Sequence, residues 1–441
     1  MKSGTRTITI SHLGRIEGHG GVFVKVVGGS VRDVNLDIFE GSRYYEALLK
    51  GKHFLEVQGI ITRVCAICSS THTVAALNAL ENALDVPRSE RIHRLRGLLV
   101  LGSTIESHAL HVFALALPDF LGFDSVIAMA SKYRKEVTFA LRLKQLGNRI
   151  QEIVGGRAVH PVNTLVGGFG KLPAPADLIR IRADLAAQIE PLMEFVDLAA
   201  RIPVPDWSAR PLVHVALRPY EEGFRFRGTS LCTSRGEEYP VSEYREVVRE
   251  FTVEHSHAKH AALASGDTYV VGSLARLRLW GHLLTGNAKQ AFGRLFPEGV
   301  PDNILWNTWA QLVETVHCVE RGIEHCDLLL SMPQEKSEMV EYSVKAGRGI
   351  GAIEAPRGTL FHEYEIDADG RVLFANVITP TAQNLASVER DLRIAAEHLL
   401  RLEVEGGTAK LKSGLEMVAR AYDPCISCSV HVVRLPADAD P

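Results

Sequence analysis

Cysteine is scarce. Seven in 441 residues cannot supply a disulfide framework for a chain of this size. Excess positive charge is also missing, since 49 Lys and Arg against 52 Asp and Glu leave a net charge of −3. That balance gives no basic field to hold nucleic acid or an anionic membrane. Long uninterrupted apolar runs are lacking too. The most apolar stretch, Leu95 to Leu117, contains Arg96, Glu106, His108 and His111, whereas a membrane span needs about 20 nearly unbroken apolar residues. Met1 to Arg6 lead into a strand pattern without an apolar signal core. There is no internal repeat or low-complexity tract. These absences lead us to expect a soluble, cytosolic protein. The 46% of hydrophobic residues supplies one large core or two ordinary ones.

What is present is mostly helical periodicity. Residues 6–38 alternate apolar and polar around Gly28-Gly29 and predict a small antiparallel sheet. Helices are predicted at 44–58, 70–84, 88–117, 131–154, 176–201, 241–263, 303–331, 381–404 and 409–420, several without a polar face. Residues 155–175 form a Gly/Pro-rich loop of the kind that is usually functional or interfacial. Residues 358–378 read as a hairpin turning at Asp367 to Gly370. The expected fold is mainly α with minor β (α+β). It is read as one domain with a β region over 1–40, a helical body over 41–431 and a tail over 432–441.

The cysteines are placed informatively. Cys65 and Cys68 form one CxxC, and Cys425 and Cys428 form another 360 residues later. Two intervening residues let both thiolates of a pair reach one metal, and two pairs make a soft four-sulfur set suited to zinc, nickel or an iron–sulfur cluster. Zinc ribbons keep their pairs about 15–20 residues apart, so a structural zinc is the weaker reading. Taken alone, Glu17 reads as a surface or cap carboxylate and Arg357 as a turn residue. His108 and His111, on a long apolar helix, read as satisfied core histidines. Gly347-Arg348-Gly349-Ile350-Gly351 has no clear preceding strand and no following helix, which excludes a dinucleotide fingerprint.

The flanks carry a resemblance. Arg63-Val64-Cys65-Ala66-Ile67-Cys68 leads to His72, and Asp423-Pro424-Cys425-Ile426-Ser427-Cys428 leads to His431. With Arg15-Ile16-Glu17-Gly18-His19, Tyr45-Glu46-Ala47-Leu48-Leu49-Lys50-Gly51, Ala355-Pro356-Arg357-Gly358 and Pro380-Thr381, the chain resembles the large, catalytic subunit of nickel–iron hydrogenases. The resemblance implies that Cys65 and Cys425 are terminal ligands of nickel, and that Cys68 and Cys428 bridge nickel to an iron carrying carbon monoxide and cyanide. It implies that Glu17 takes the proton from a terminal cysteine and that Arg357 covers the open face of the metals. Thr381 and the backbone at Pro356 would hydrogen-bond the cyanides. Glu46 and His431 would hold magnesium or iron at a second buried site, with His72 and Asp423 orienting the ligands. Heterolytic cleavage of H₂ needs an acceptor for the electron pair and a nearby base, and this set offers both.

Four cysteines at such a centre leave Cys232, Cys318 and Cys326, one short of an all-thiolate cluster. The chain is therefore expected to hold no iron–sulfur cluster and to pass electrons to an iron–sulfur small subunit. The segments Ile105 to His111, Pro118 to Gly122 and Cys425 to Leu435 look like the cytoplasmic branch, which serves NADP(H) or NAD(H) through flavin and iron–sulfur diaphorase subunits. An H₂-sensing or scaffold homologue is the alternative. His160 is similar to a family histidine near the partner's cluster. Two departures stand out. Ala66 replaces the family's usual glycine, and residues 432–441 follow the histidine after which family precursors are often cleaved. This implies either an unprocessed precursor or a retained tail.

Overall fold

The computed structural model describes residues 5–220, 223–333, 335–402 and 407–430. Alternation produces the first sheet as expected: β1 (Thr5–Ile10), β2 (Gly20–Val27) and β3 (Ser30–Ile38) pair antiparallel in that order. Ile8, Ile10, Val22, Val24, Leu36 and Ile38 point into the core. The predicted helix over 44–58 divides into α1 (Tyr45–Leu49) and α2 (Phe54–Ile61), separated at Gly51, whose φ of 80° breaks the helix.

The helix α3 (Ser69–Leu84) is buried along nearly its whole length. α4 (Glu90–Ala109) runs through a π-helical turn at Leu110–Ala116 into α5 (Leu117–Leu121). This run is long and apolar enough to cross a membrane, but 83% of its most apolar window is buried within the protein, as in a core helix. Several of its polar residues are paired internally. Arg96 forms a paired hydrogen bond with Glu81, both contacts at 2.6 Å, and His108 meets Glu314 at 3.0 Å.

After α6 (Val126–Met129) and α7 (Arg134–Gly155) come two short strands, β4 (Thr164–Leu165) and β5 (Gly168–Phe169). The predicted helix over 176–201 is two, α8 (Pro175–Ala186) and α9 (Ile189–Ala199). Pro191, in the first turn of the second, has no N–H to continue the first. A sheet of β6 (Val215–Pro219), β7 (Gly228–Thr233) and β8 (Glu238–Pro240) follows, which periodicity did not predict.

The clearest correction lies at 241–263, expected as a helix. Only a 3₁₀ turn at Val241–Glu243 and α10 (Tyr244–Val247) are helical, and the rest is a hairpin of β9 (Val248–Val253) and β10 (Ser256–Leu263). Val247, Val248, Phe251, Thr252 and Val253 are β-branched or aromatic, and Glu254 and His255 make the turn. Two unpredicted helices, α11 (Ser273–Trp280) and α12 (Gly286–Leu295), precede the long α13 (Asn307–Ser331) and β11 (Glu338–Met339).

The late hairpin, β13 (Gly358–Ile366) with β14 (Val372–Ile378), gains a third strand, β12 (Gly347–Ala355). Here the glycine-rich motif finds its use. A Cβ at Gly347, Gly349 or Gly351 would fall 2.1, 2.0 or 2.2 Å from the carbonyl oxygens of Ala83, Ala79 and Ala75. Glycine on one strand face and alanine every fourth residue of α3 let strand and helix approach backbone to backbone. The chain closes with α14 (Pro380–Leu402), α15 (Gly407–Ala421) and α16 (Ile426–Ser429). With about 50% helix and 21% strand, the fold is α+β. One large core fills the helical body, and a smaller one lies between β6, β7, the β9–β10 hairpin and β13.

Candidate metal centre

The four cysteines of the two motifs converge. Cys65 follows a turn of 3₁₀ helix after α2, and Cys68 sits at the N-terminus of α3, with its N–H toward Cys65 Sγ at 3.5 Å. Cys425 is the N-cap of α16 and Cys428 lies within its single turn. Sγ separations are 3.2 Å for Cys65–Cys425, 3.2 Å for Cys68–Cys428, 4.0 Å for Cys68–Cys425 and 2.8 Å for Cys425–Cys428. All four are free thiols and at most 5% exposed. Burial pushes the Cys425 and Cys428 thiols well above their ordinary range. Cys65 is held well below it, first by the neighbouring thiols of Cys425 and Cys428 and also by the Arg357 guanidinium. A set of this kind ionises fully only around a cation.

Glu17 is brought to this cluster by backbone pairing. Residues Glu17 and Cys425 form a parallel bridge, and Ile426 N–H donates to Glu17 O at 3.0 Å. Gly18, at φ 85°, passes so close that a Cβ would lie 2.6 Å from Ile426 Cβ. The half-buried carboxylate accepts from Ser427 N–H at 3.0 Å, from the Ser427 hydroxyl, and from Cys425 Sγ at 3.3 Å.

Arg357 is 4% exposed and anchored on Asp423, through Nε to the backbone oxygen at 2.7 Å and Nη2 to Oδ1 at 3.0 Å. Its Nη1 is buried without a partner, and Cys425, Cys68 and Cys65 all act electrostatically on this guanidinium. A soft four-sulfur set beside an orphaned buried donor fits a metal centre whose further ligands accept hydrogen bonds. Asp423, at φ 50°, is fixed by Gln311 Nε2 at 3.0 Å. Gln311 also contacts His111.

Thr381 Oγ1 accepts from Cys425 N–H at 3.0 Å, which leaves its hydroxyl proton available. Pro356 has no N–H to offer, and its carbonyl accepts from Arg276 at 3.1 Å. His72 Nε2 lies 3.8 Å from Cys428 Sγ, and its Nδ1 meets His362 at 3.0 Å. His362 in turn meets the Tyr364 hydroxyl at 2.7 Å.

Glu46 has different company from that expected. Its carboxylate accepts from Val377 N–H at 2.8 Å and lies 3.6 Å from the Lys259 ammonium, so a magnesium ion there would compete with Lys259. His431 lies outside the described residues. His160 backs the first motif, with its ring on the Thr62 carbonyl at 2.8 Å. Ala66 is exposed and is not at positive φ, so its methyl group faces solvent without strain.

Sequence reasoning missed Ser427, Gln311, His362 and above all Arg276. Ser427 stands inside a CxxC and could have been found there. The others belong to no recognisable motif. Arg276, 1% exposed, donates to Glu314 at 2.6 and 2.7 Å, to Glu354 at 2.9 Å and to the carbonyls of Ala355 and Pro356. It thereby holds the turn that presents Arg357. Burial alone would raise the Glu314 pKa, but Arg276 brings it down to about 2. The pair's stabilisation is therefore complete above pH 4.5 and fades as pH falls toward 2. Arg276→Met takes the guanidinium from two buried carboxylates, leaving Glu314 to His108 and Ser273 and Glu354 to Leu217 N–H and Thr359. We expect a loss of about 3–5 kcal/mol in a denaturant titration, together with reduced turnover.

A family model described as nickel-dependent hydrogenase matches residues 43–139 and 287–431. Sulfhydrogenase 1 subunit alpha of Pyrococcus furiosus is 40% identical over 437 residues, covering 99% of this chain and 100% of the relative. Sulfhydrogenase 2 subunit alpha of the same organism is 35% identical over 435 residues, covering 97% and 100%. A crystal structure of an NAD⁺-reducing NiFe hydrogenase in its H₂-reduced state aligns with a TM-score of 0.88 at 27% identity, covering 97% of this chain and 99% of that one. The chain thus belongs to the nickel-dependent hydrogenase family, as the catalytic large subunit of a nickel–iron hydrogenase.

Proposed function

We propose that this subunit interconverts H₂ with protons and electrons within a complex whose final acceptor is NADP(H) or NAD(H). The iron would carry carbon monoxide and cyanide ligands. Cys65, Cys68, Cys425 and Cys428 would hold nickel and iron, which when bound polarise H₂ for heterolytic cleavage and take up its electrons. The protein's own contribution is to move the proton. Cys425 Sγ lies 3.3 Å from Glu17 Oε2, and Ser427 holds that carboxylate through both its N–H and its hydroxyl. Glu17 is half-buried, so it links an enclosed sulfur with the outside. Arg357 places a fixed positive charge beside the sulfurs, and Asp423 and Arg276 keep it there.

Electrons need a partner, because Cys232, Cys318 and Cys326 are one short of a cluster's four thiolates. The relatives are named as alpha subunits, which supports an iron–sulfur small subunit. Flavin and iron–sulfur diaphorase subunits would carry the electrons onward.

The observation that carries the acceptor is the likeness at TM-score 0.88 to an NAD⁺-reducing enzyme. The sulfhydrogenase relatives favour sulfur as a second acceptor. The test is H₂ oxidation by the anaerobically purified complex with NADP⁺, NAD⁺, polysulfide or a viologen dye. Reduction of either nicotinamide is expected. Activity with the dye but with neither nicotinamide would overturn the proposed acceptor while leaving the hydrogenase intact.

A further inference from the structure

Where β3, the β9–β10 turn and α14 meet, His255, His260 and Glu389 bring their ligating atoms within 4.8 Å of one another. We propose that these three residues form a second transition-metal site, separate from the cysteine centre, that takes a divalent ion such as zinc. Glu389 lies eight residues beyond Thr381 on α14, about 12 Å along the helix.

The argument starts from His260. It is 1% exposed, its Nδ1 faces the Ala258 carbonyl at 3.4 Å, and its Nε2 has no hydrogen-bond partner. With the ring proton on Nδ1 toward that carbonyl, Nε2 presents a lone pair. What it faces is Glu389 Oε2 at 3.6 Å, too far for a hydrogen bond and another acceptor. In that tautomer the two face one another as acceptors, an arrangement that a cation between them would satisfy. A histidine that donates one nitrogen to a backbone carbonyl and presents the other is also the common arrangement of a metal ligand.

The remaining contacts complete the set. His255 Nε2 lies 2.6 Å from Glu389 Oε1. That oxygen also accepts from Leu36 N–H at 2.9 Å, which fixes the carboxylate plane. Ligand atoms around a tetrahedral zinc, at about 2.0–2.1 Å from the metal, stand roughly 3.4 Å apart. The 3.6 Å separation already matches, and the 2.6 Å one opens by a small movement of His255. That residue sits on a turn and its side chain is 28% exposed, so water can take the fourth position. Two imidazoles and a carboxylate suit zinc or ferrous iron better than magnesium or calcium. The ion would tie the β9–β10 hairpin to α14.

The test uses the nickel-loaded complex, stripped of loosely held metal with EDTA and titrated with zinc chloride against a chromophoric chelator. Wild type is expected to take one additional zinc per large subunit, with only nitrogen and oxygen neighbours in its X-ray absorption spectrum. His255→Ala and Glu389→Gln should each weaken uptake at least about 100-fold, with nickel content unchanged. No additional zinc in wild type, sulfur neighbours in its spectrum, or uptake by either variant as tight as that of wild type would overturn the proposal.

Discussion

Cys428→Ser is expected to abolish both nickel retention and H₂ turnover. Cys428 Sγ lies 3.2 Å from Cys68 Sγ and 2.8 Å from Cys425 Sγ, with His72 Nε2 at 3.8 Å on another side. Cys65 already belongs to the four-sulfur set, and Cys232, Cys318 and Cys326 are not part of it. Serine keeps the volume approximately but offers a hard oxygen that stays protonated, where the set calls for a soft thiolate. Elemental analysis should show nickel falling to background. The infrared spectrum of anaerobically purified protein should lose the iron-bound carbonyl and cyanide bands expected of wild type. Stoichiometric nickel with sustained turnover in this variant would show that Cys428 is not a bridging ligand.

Glu17→Gln should separate metal binding from proton movement. The amide can still accept from Ser427 N–H but cannot take a proton from Cys425. Removing a positioned acid–base group reduces rates by about 10²–10⁴-fold, and a loss of that size is expected in both H₂ oxidation and H₂/D⁺ exchange. Nickel content and the infrared bands should stay as in wild type. If the variant instead loses nickel, Glu17 is a structural support for α16 and the proton leaves by another route. The contact of Cys428 with His72, and from there to His362 and Tyr364, is the alternative such a result would point to.

The parts of this centre that could be read in the sequence are those whose chemistry demands a fixed short spacing. A CxxC pair advertises itself because both sulfurs must reach one point, and Glu17, Arg357 and Thr381 were found through the motifs around them. The supporting residues have no such spacing. Arg276 and Gln311 belong to no motif, and only the folded chain shows that one holds the Pro356 turn and the other Asp423. Glu46 was picked out, but its partner Lys259 sits in the segment misread as helix, where β-branched residues outweighed a weak helical period. The glycines of β12 were correctly refused as a nucleotide loop. Their packing role stayed hidden because it needs Ala75, Ala79 and Ala83 of α3 on the other side.

The separation of 360 positions from Cys65 to Cys425 also imposes an order in time. At about 5–20 residues per second on the ribosome, the first pair waits roughly 20–70 s for the second. During that interval a nascent chain offers any soft cation two thiols instead of four, and Glu17 has no strand partner to fix it. An ion captured so early would be held by half its ligands and could still be lost. Four-point capture becomes possible only after Cys425 and Cys428 have been translated, so selection of the metals cannot begin with the first pair.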